Sequence, residues 1–350
     1  MVAEAVLPAA GTTWLMSTTA LLAKAFLFGL NSTTVHGLEN LTRVLDLRMQ
    51  EGTKESRSAF ITVSNHACVI DDPLIWGVLP FKYLFNLDNF RWTLGSQDIC
   101  FKNRFTSAFF IRGQVLPTYR LQHSVLGGLF QPVVDQTLEM LTHPSLRDQL
   151  ATSSIKILPT VKWTAPPVAA TSSAMSATPP IWLHVFPEGQ IFQHPVLQMR
   201  YFKWGIARYI LELPSPPIVL PMFHSGIQNV MHEKRRFPRF LPRPGNEIAI
   251  TFGEPLPVHH WDDVRRRWRE VRAACAAIGG REGERLLREG DEAVKLRVEV
   301  AAMVREEVEK LRVRSGWPPS DAESALAETY RRGRSNAYLF EVDAEKHADS

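Results

Sequence analysis

The stretch Phe60–Trp76, FITVSNHACVIDDPLIW, decides how the rest of this 350-residue chain is read. Phe60, Ile61 and Val63 make a short apolar, β-branched run that predicts a strand, and the run stops where Ser64 and Asn65 turn polar. His66 therefore stands where a strand ends. Asp71 follows within one short turn, and Asp72 with Pro73 then predicts a helix start, a carboxylate at the N-cap and a proline at the first helical position. In an open α/β sheet, ligands bind at the carboxyl ends of strands, and helix-start N–H groups there stabilise a negative oxygen. The expected fold class is α/β, with a mainly parallel sheet flanked by helices.

A histidine takes a proton near neutral pH, and a carboxylate on its other ring nitrogen fixes the tautomer and stabilises the imidazolium. His66 and Asp71 are the candidate base and orienter. The competing reading of the same pair is a surface histidine beside a helix-capping aspartate. Further along, Ile181 to Phe186 predicts a second buried strand, broken by Pro187-Glu188-Gly189 into a turn that presents one acid.

NHACVID (65–71) and FPEG (186–189) together resemble the glycerolipid acyltransferase superfamily, whose blocks are NHxxxxD, an arginine block, FPEG and a proline-bearing strand. RYFKWGIARYI (200–210), IVLPMFHSGIQNV (218–230), FPRF (237–240) and ITFGEPL (250–256) bring the likeness nearest to that superfamily's mitochondrial phospholipid–lysophospholipid transacylases. The resemblance runs from Trp14 to Pro257 with one interruption. It implies a glycerol-3-phosphate acyltransferase-like fold, Glu188 and Gly189 at the polar site of the acceptor, and Lys203 facing a lipid phosphate with Arg200 second. A compact ammonium beside a guanidinium fork suits an anionic head group. Arg112, at the end of FTSAFFIR (105–112), falls in the place of the arginine block, although Thr106-Ser107-Ala108 replaces the usual glycine pattern. His224 either lines the site or is a satisfied structural histidine.

The chemistry implied is acyl exchange without CoA, cofactor or metal. His66 deprotonates a lysophospholipid hydroxyl, that oxygen attacks a donor ester, helix-start amides hold the oxyanion, and His66 returns the proton. The implied partners are phosphatidylcholine, cardiolipin and lysocardiolipin on a membrane surface, facing the mitochondrial intermembrane space. Two other functions share the same motifs: acyl-CoA-dependent acylation of lysophospholipid or glycerol phosphate, and an inactive membrane scaffold. Intact His66, Asp71 and Glu188 argue against the scaffold, and a serine hydrolase is disfavoured because no G-x-S-x-G occurs.

Composition bounds the rest. A net charge of +4 suits an anionic surface but is too weak to imply nucleic acid, and no nucleic-acid motif is present. Three scattered cysteines form neither a disulfide framework nor a metal pattern. Cys68 has apolar neighbours, so an inert thiol is expected. Oligomeric state stays open.

Residues 1–35 form an N-terminal segment whose apolar run, Thr12–Leu30, contains Lys24 and fits neither a secretory signal nor a transit peptide. It either lies at a membrane interface or packs as a first helix. Residues 36–260 form the acyltransferase domain. Within it, Gln122–His143 predicts an amphipathic helix kinked at Pro132, and Trp204–Leu220 an apolar band suited to interfacial contact. Residues 152–180, rich in Ser, Thr, Ala and Pro, predict a disordered insert. Arg235, Arg236, Arg239 and Arg243 with Phe237 and Phe240 make a basic-aromatic patch suited to lipid head groups. Residues 261–316 read as a helical extension carrying a Val294–Leu311 apolar period, and 317–350 as a loose tail.

Overall fold

A computed structural model describes residues 9–50, 57–121, 123–142 and 179–331. Its strands are β1 (Ser32–His36), β2 (Phe60–Val63), β3 (Trp92–Ser96), β4 (Val115–Thr118), β5 (Trp182–Val185), β6 (Ile218–Ser225) and β7 (Glu247–Phe252). They make one sheet in the order β1-β7-β6-β2-β5-β3-β4. Every neighbouring pair is parallel except β6 with β7. β2 lies between β6 and β5, so its apolar run is covered on both edges and both faces, as a central parallel strand requires.

The period of two along each strand divides the core. Phe60, Trp182, Leu220 and Ile250 face α1 (Ala9–Gly29), α2 (Leu38–Arg48) and α3 (Asp71–Ile75). Ile61, Val63, Leu183, Val185, Val219 and Phe223 face the other way. α4 (Gln97–Cys100) and α5 (Arg104–Arg112) join β3 to β4. The second layer holds α6 (Pro132–Thr142) and α7 (Gly205–Leu211). After the short α8 (Ile227–Val230), that layer is completed by α9 (Asp262–Ile278), α10 (Gly280–Glu289) and α11 (Asp291–Arg314). A short helix, α12, spans Ala327–Arg331.

Several expectations are corrected here. α3 begins at Asp71 after Ile70, and no side chain caps it, so Asp72 is inside the helix instead of at its N-cap. The turn's two carboxylates are diverted to other partners, described below. Pro132 starts α6 in place of kinking a longer helix, because a proline without an N–H is tolerated only in the first turn, and Val125 ahead of it is fully exposed. The apolar band Trp204–Leu220 is unavailable to a membrane: Ile206 to Leu211, Leu213, Val219 and Leu220 are buried. Arg208 inside it is neutralised internally by Glu212 and Asp135, at 2.7 and 2.8 Å. Residues 317–331 do not trail away, since Ser324 is buried and bonded to α11. The stretch 152–178 lies outside the described residues.

α1 packs on the domain as a first helix and leaves its other side uncovered. Met16, Ala20, Ala23 and Leu27 recur at helical spacing and are buried, whereas Trp14 is 76% and Leu22 68% exposed. Lys24 extends over the rings of Phe28 and Phe81, and burial of its stem lowers its pKa. Among the described residues, no helix is long and apolar enough to cross a membrane. The arginines of the 235–243 loop are partly spent on the loop's own carbonyls, as when Arg235 Nη1 donates to His232 O at 2.9 Å, while Phe237 and Phe240 stay exposed.

Candidate active site

β2, β5 and β3 all end on one edge of the sheet, and the turns that follow them converge there. His66, just past β2, holds its Nδ1 at 2.9 Å from Asp71 Oδ2. A buried carboxylate only accepts, so Nδ1 carries the proton and Nε2 is left as the basic nitrogen. The histidine side chain is 21% exposed and Asp71 is fully buried, an accessible base on a dry orienter. Phe186 stacks on the imidazole with ring centroids 4.3 Å apart and fixes the ring plane.

Asp71 Oδ2 also accepts the backbone amides of Ala67 and Cys68, at 2.7 and 2.8 Å. The His66 amide is taken by Glu188 Oε1 at 2.8 Å. These three amides, on the turn expected to supply oxyanion donors, are therefore already occupied by carboxylates. α3 is also only five residues long, too short to supply much of a helix dipole. The Cys68 thiol, buried and beside Asp71, is pushed up to about 12 and stays inert, as expected.

Glu188 differs from its expected place. Its second oxygen accepts the Arg200 amide at 2.9 Å, and the side chain is buried, so it ties two backbones together and does not open toward a ligand. Burial raises its pKa to about 7 against the pull of those two amides. Gly189 adopts φ 66°, and a Cβ there would lie 2.7 Å from Lys203 Cδ, so the lysine stem runs over a position only glycine fills without strain. Lys203 is anchored by its own amide on Pro187 O at 2.8 Å. Burial of the stem, then the charges of Arg200 and Arg120, lower the Lys203 pKa.

His224, at the end of β6, is buried and donates from Nε2 to Asn65 O at 3.0 Å, with Asp71 Oδ2 at 3.6 Å. Burial lowers its pKa despite Asp71, so it is neutral. Asn65 returns two bonds to the His224 backbone, each 3.0 Å, which pins the end of β2 to β6. Of the two readings of His224, the geometry fits the structural one.

Arg112 is not brought to this cluster. It ends α5 ahead of β4 and, among the described residues, makes no hydrogen bond or ion pair with His66, Asp71, Glu188 or Lys203. It lines a groove of about 540 Å³ between α1 and α5 with Trp14, Leu15, Phe105 and Phe109. The cation at the site edge is Arg120, which follows the end of β4 and is gripped through two nitrogens by Asp98, with Nε to Oδ1 at 3.0 Å. The rule that ligands sit beyond the carboxyl ends of parallel strands pointed to Arg120, had β4 been given its place in the sheet.

Asp72, expected at a helix N-cap, and His184, inside β5, both take structural roles. Asp72 accepts from Arg91 Nε at 2.8 Å and from Trp76 Nε1 at 3.2 Å. Burial works to raise its pKa, but the Arg91 charge and hydrogen bonds outweigh it and hold it low. Arg91 Nη1 continues to Gly113 O at 2.9 Å, so the ion pair ties α3 to the loop before β4. His184 is buried between Thr62 and Ser64, and burial lowers its pKa to about 3, so it is neutral filling beneath Phe186.

Residues 32–225 match the family model described as Acyltransferase. The chain is 35% identical to tafazzin of Saccharomyces cerevisiae over 83% of its own length and 74% of that protein. It is 32% identical to the N-acylphosphatidylethanolamine synthase of Arabidopsis thaliana over 67% of this chain and 66% of that one. Against the taffazin of Dictyostelium discoideum it is 29% identical, over 66% and 65% of the two chains. A solved structure, the LPA acyltransferase PlsC of Thermotoga maritima, shares 15% identity with a TM-score of 0.39 over 74% of this chain and 76% of that one. With the His66–Asp71 pair seated at the end of β2 and the family model spanning most of the sheet, the chain belongs to the acyltransferase family, among its tafazzins.

Proposed function

We infer that the enzyme moves fatty acyl chains between a phospholipid and a lysophospholipid without CoA, in cardiolipin remodelling on mitochondrial membranes, facing the intermembrane space. The observation that carries this reading is the size of the cationic site. Near the Pro187–Gly189 turn stand Lys203 and Arg120, and Arg120 is paired through two nitrogens with Asp98, which suits one phosphate group better than the polyanionic head of CoA. The exposed aromatic side chains of α1 and α5, with Phe81 and Phe85, supply an interfacial face that holds the enzyme where two lipids meet.

In this scheme His66 Nε2 takes the proton of the lysophospholipid hydroxyl as its oxygen attacks the donor ester carbonyl. The imidazolium is stabilised by Asp71 and returns the proton to the departing glycerol oxygen. One ester is broken and one formed, so no energy source is required. Purified enzyme in liposomes holding radiolabelled phosphatidylcholine and lysocardiolipin moves label between them without CoA. Acyl-CoA with the same acceptor yields little. Transfer confined to acyl-CoA would remove this reading and favour the CoA-dependent one.

A further inference from the structure

The family match ends at residue 225, and α9, α10, α11 and the segment to Arg331 lie beyond it. Within the matched part, the loop 196–203 carries Arg200 and Lys203 and has no regular secondary structure of its own. Its carbonyls are held from α11. Arg305 donates Nε to Arg200 O at 3.0 Å, and Nη2 to both Met199 O and Ser324 Oγ at 2.9 Å. Arg312, two turns on, donates Nε to Leu197 O at 2.8 Å and Nη2 to Val196 O at 2.6 Å. From the other side, the Tyr330 ring covers the Arg200 guanidinium, 3.9 Å from its centroid.

Burying a guanidinium is costly unless its donors are satisfied, and here the satisfaction comes from the backbone of one active-site loop. The loop passes the constraint on: the Arg200 amide binds Glu188 Oε2, and Glu188 Oε1 binds the His66 amide. We propose that Arg305 is a positioning residue for the active site, setting the 196–203 loop so that Lys203 meets the phosphate of the acceptor lipid. Through Arg305, α11 then supports the active-site loop. The part concerning the acceptor rests on the acyl-transfer reading above.

Arg297, on the same helix, supplies the control. It is buried too, and donates to Arg288 O and Leu287 O at 2.9 and 2.7 Å, within the extension itself. Full-length Arg305→Lys and Arg297→Lys are compared by hydrogen exchange across residues 196–203 and by kinetics with lysocardiolipin. Lysine keeps the charge but loses the fork that spans two carbonyls. Arg305→Lys speeds exchange in that loop and raises KM for the acceptor about tenfold with a smaller change in kcat. Arg297→Lys lowers the melting temperature and leaves loop exchange, KM and kcat alone. Ser324→Ala, which removes one Arg305 partner, shifts exchange and KM in the same direction by less, and stands in if Arg305→Lys does not fold. Unchanged loop exchange in Arg305→Lys, or equal effects from both arginines, overturns the proposal. Exchange needs no turnover, so absence of acyl transfer in the parent enzyme counts against the functional reading alone.

Discussion

Asp71 Oδ2 accepts the Nδ1 proton of His66 and, on the same oxygen, the amides of Ala67 and Cys68. This triple acceptance fixes what Asp71→Asn does. Two backbone donors require an oxygen at that position, so the asparagine places its carbonyl there and its NH₂ where Oδ1 now lies buried without a partner. The His66 tautomer survives and only the charge behind the imidazolium is lost. Asp71→Asn is therefore expected to reduce kcat less than His66→Ala, whose loss is about 10²- to 10⁴-fold, the usual contribution of a general base. Turnover and melting curves of both variants check this. A larger loss in Asp71→Asn than in His66→Ala would show that the tautomer is not held by the backbone.

Asp72 stands next to Asp71 in the chain but has a different task. Removing it as Asp72→Ala leaves Arg91 buried without its carboxylate, which costs about 3–5 kcal/mol in pairs of this kind. The protein melts earlier, while turnover measured well below the new transition stays near that of the parent. Chemical denaturation alongside turnover separates the two, and a turnover loss without a stability loss would give Asp72 a place in the chemistry.

Glu188 makes stability depend on pH with a definite sign. Its folded pKa is raised to about 7 from an ordinary value of 4.5, so between those values the folded state holds a proton that the unfolded state has released. The contribution is present in full below pH 4.5 and is lost as pH rises through 7, on the order of 3 kcal/mol across the window. Glu188→Gln does not titrate and flattens that slope, although one of its two amide bonds is sacrificed. Melting temperatures of parent and variant from pH 4.5 to 8 test this, and parallel curves would refute it.

Arg112 precedes β4 and Arg120 follows it, and of the two it is Arg120 whose charge acts on Lys203. Arg120→Ala removes a cation at the His66 edge and raises KM for an anionic acceptor by about tenfold, the value of one charge-assisted hydrogen bond. Arg112→Ala leaves KM unchanged, because its groove lies between α1 and α5. Steady-state kinetics with lysocardiolipin decide between them, and the reverse ranking would return the phosphate site to Arg112.

The sequence by itself determined the class of the fold and the identity of the reacting pair. The apolar runs FITV and IWLHV, and the breaks that follow each, are local signals, and they place His66 and Glu188 past strand ends without knowledge of strand order. The histidine–aspartate spacing is equally local, since one short turn returns Asp71 to the His66 ring. Tertiary structure decided the rest. Which arginine shares the site edge depends on β4 lying at the far side of β3, and no periodicity encodes that order. Asp72 fails as a cap because Arg91, from before β3, reaches it with two donors, a stronger claim than a single helix amide. Glu188 faces two amides instead of a ligand because loop 196–203 is brought behind it, and that loop is held by arginines of α11 about a hundred residues later in the chain. Local chemistry writes the turn, and the packing of distant segments decides which charges are left to meet a substrate.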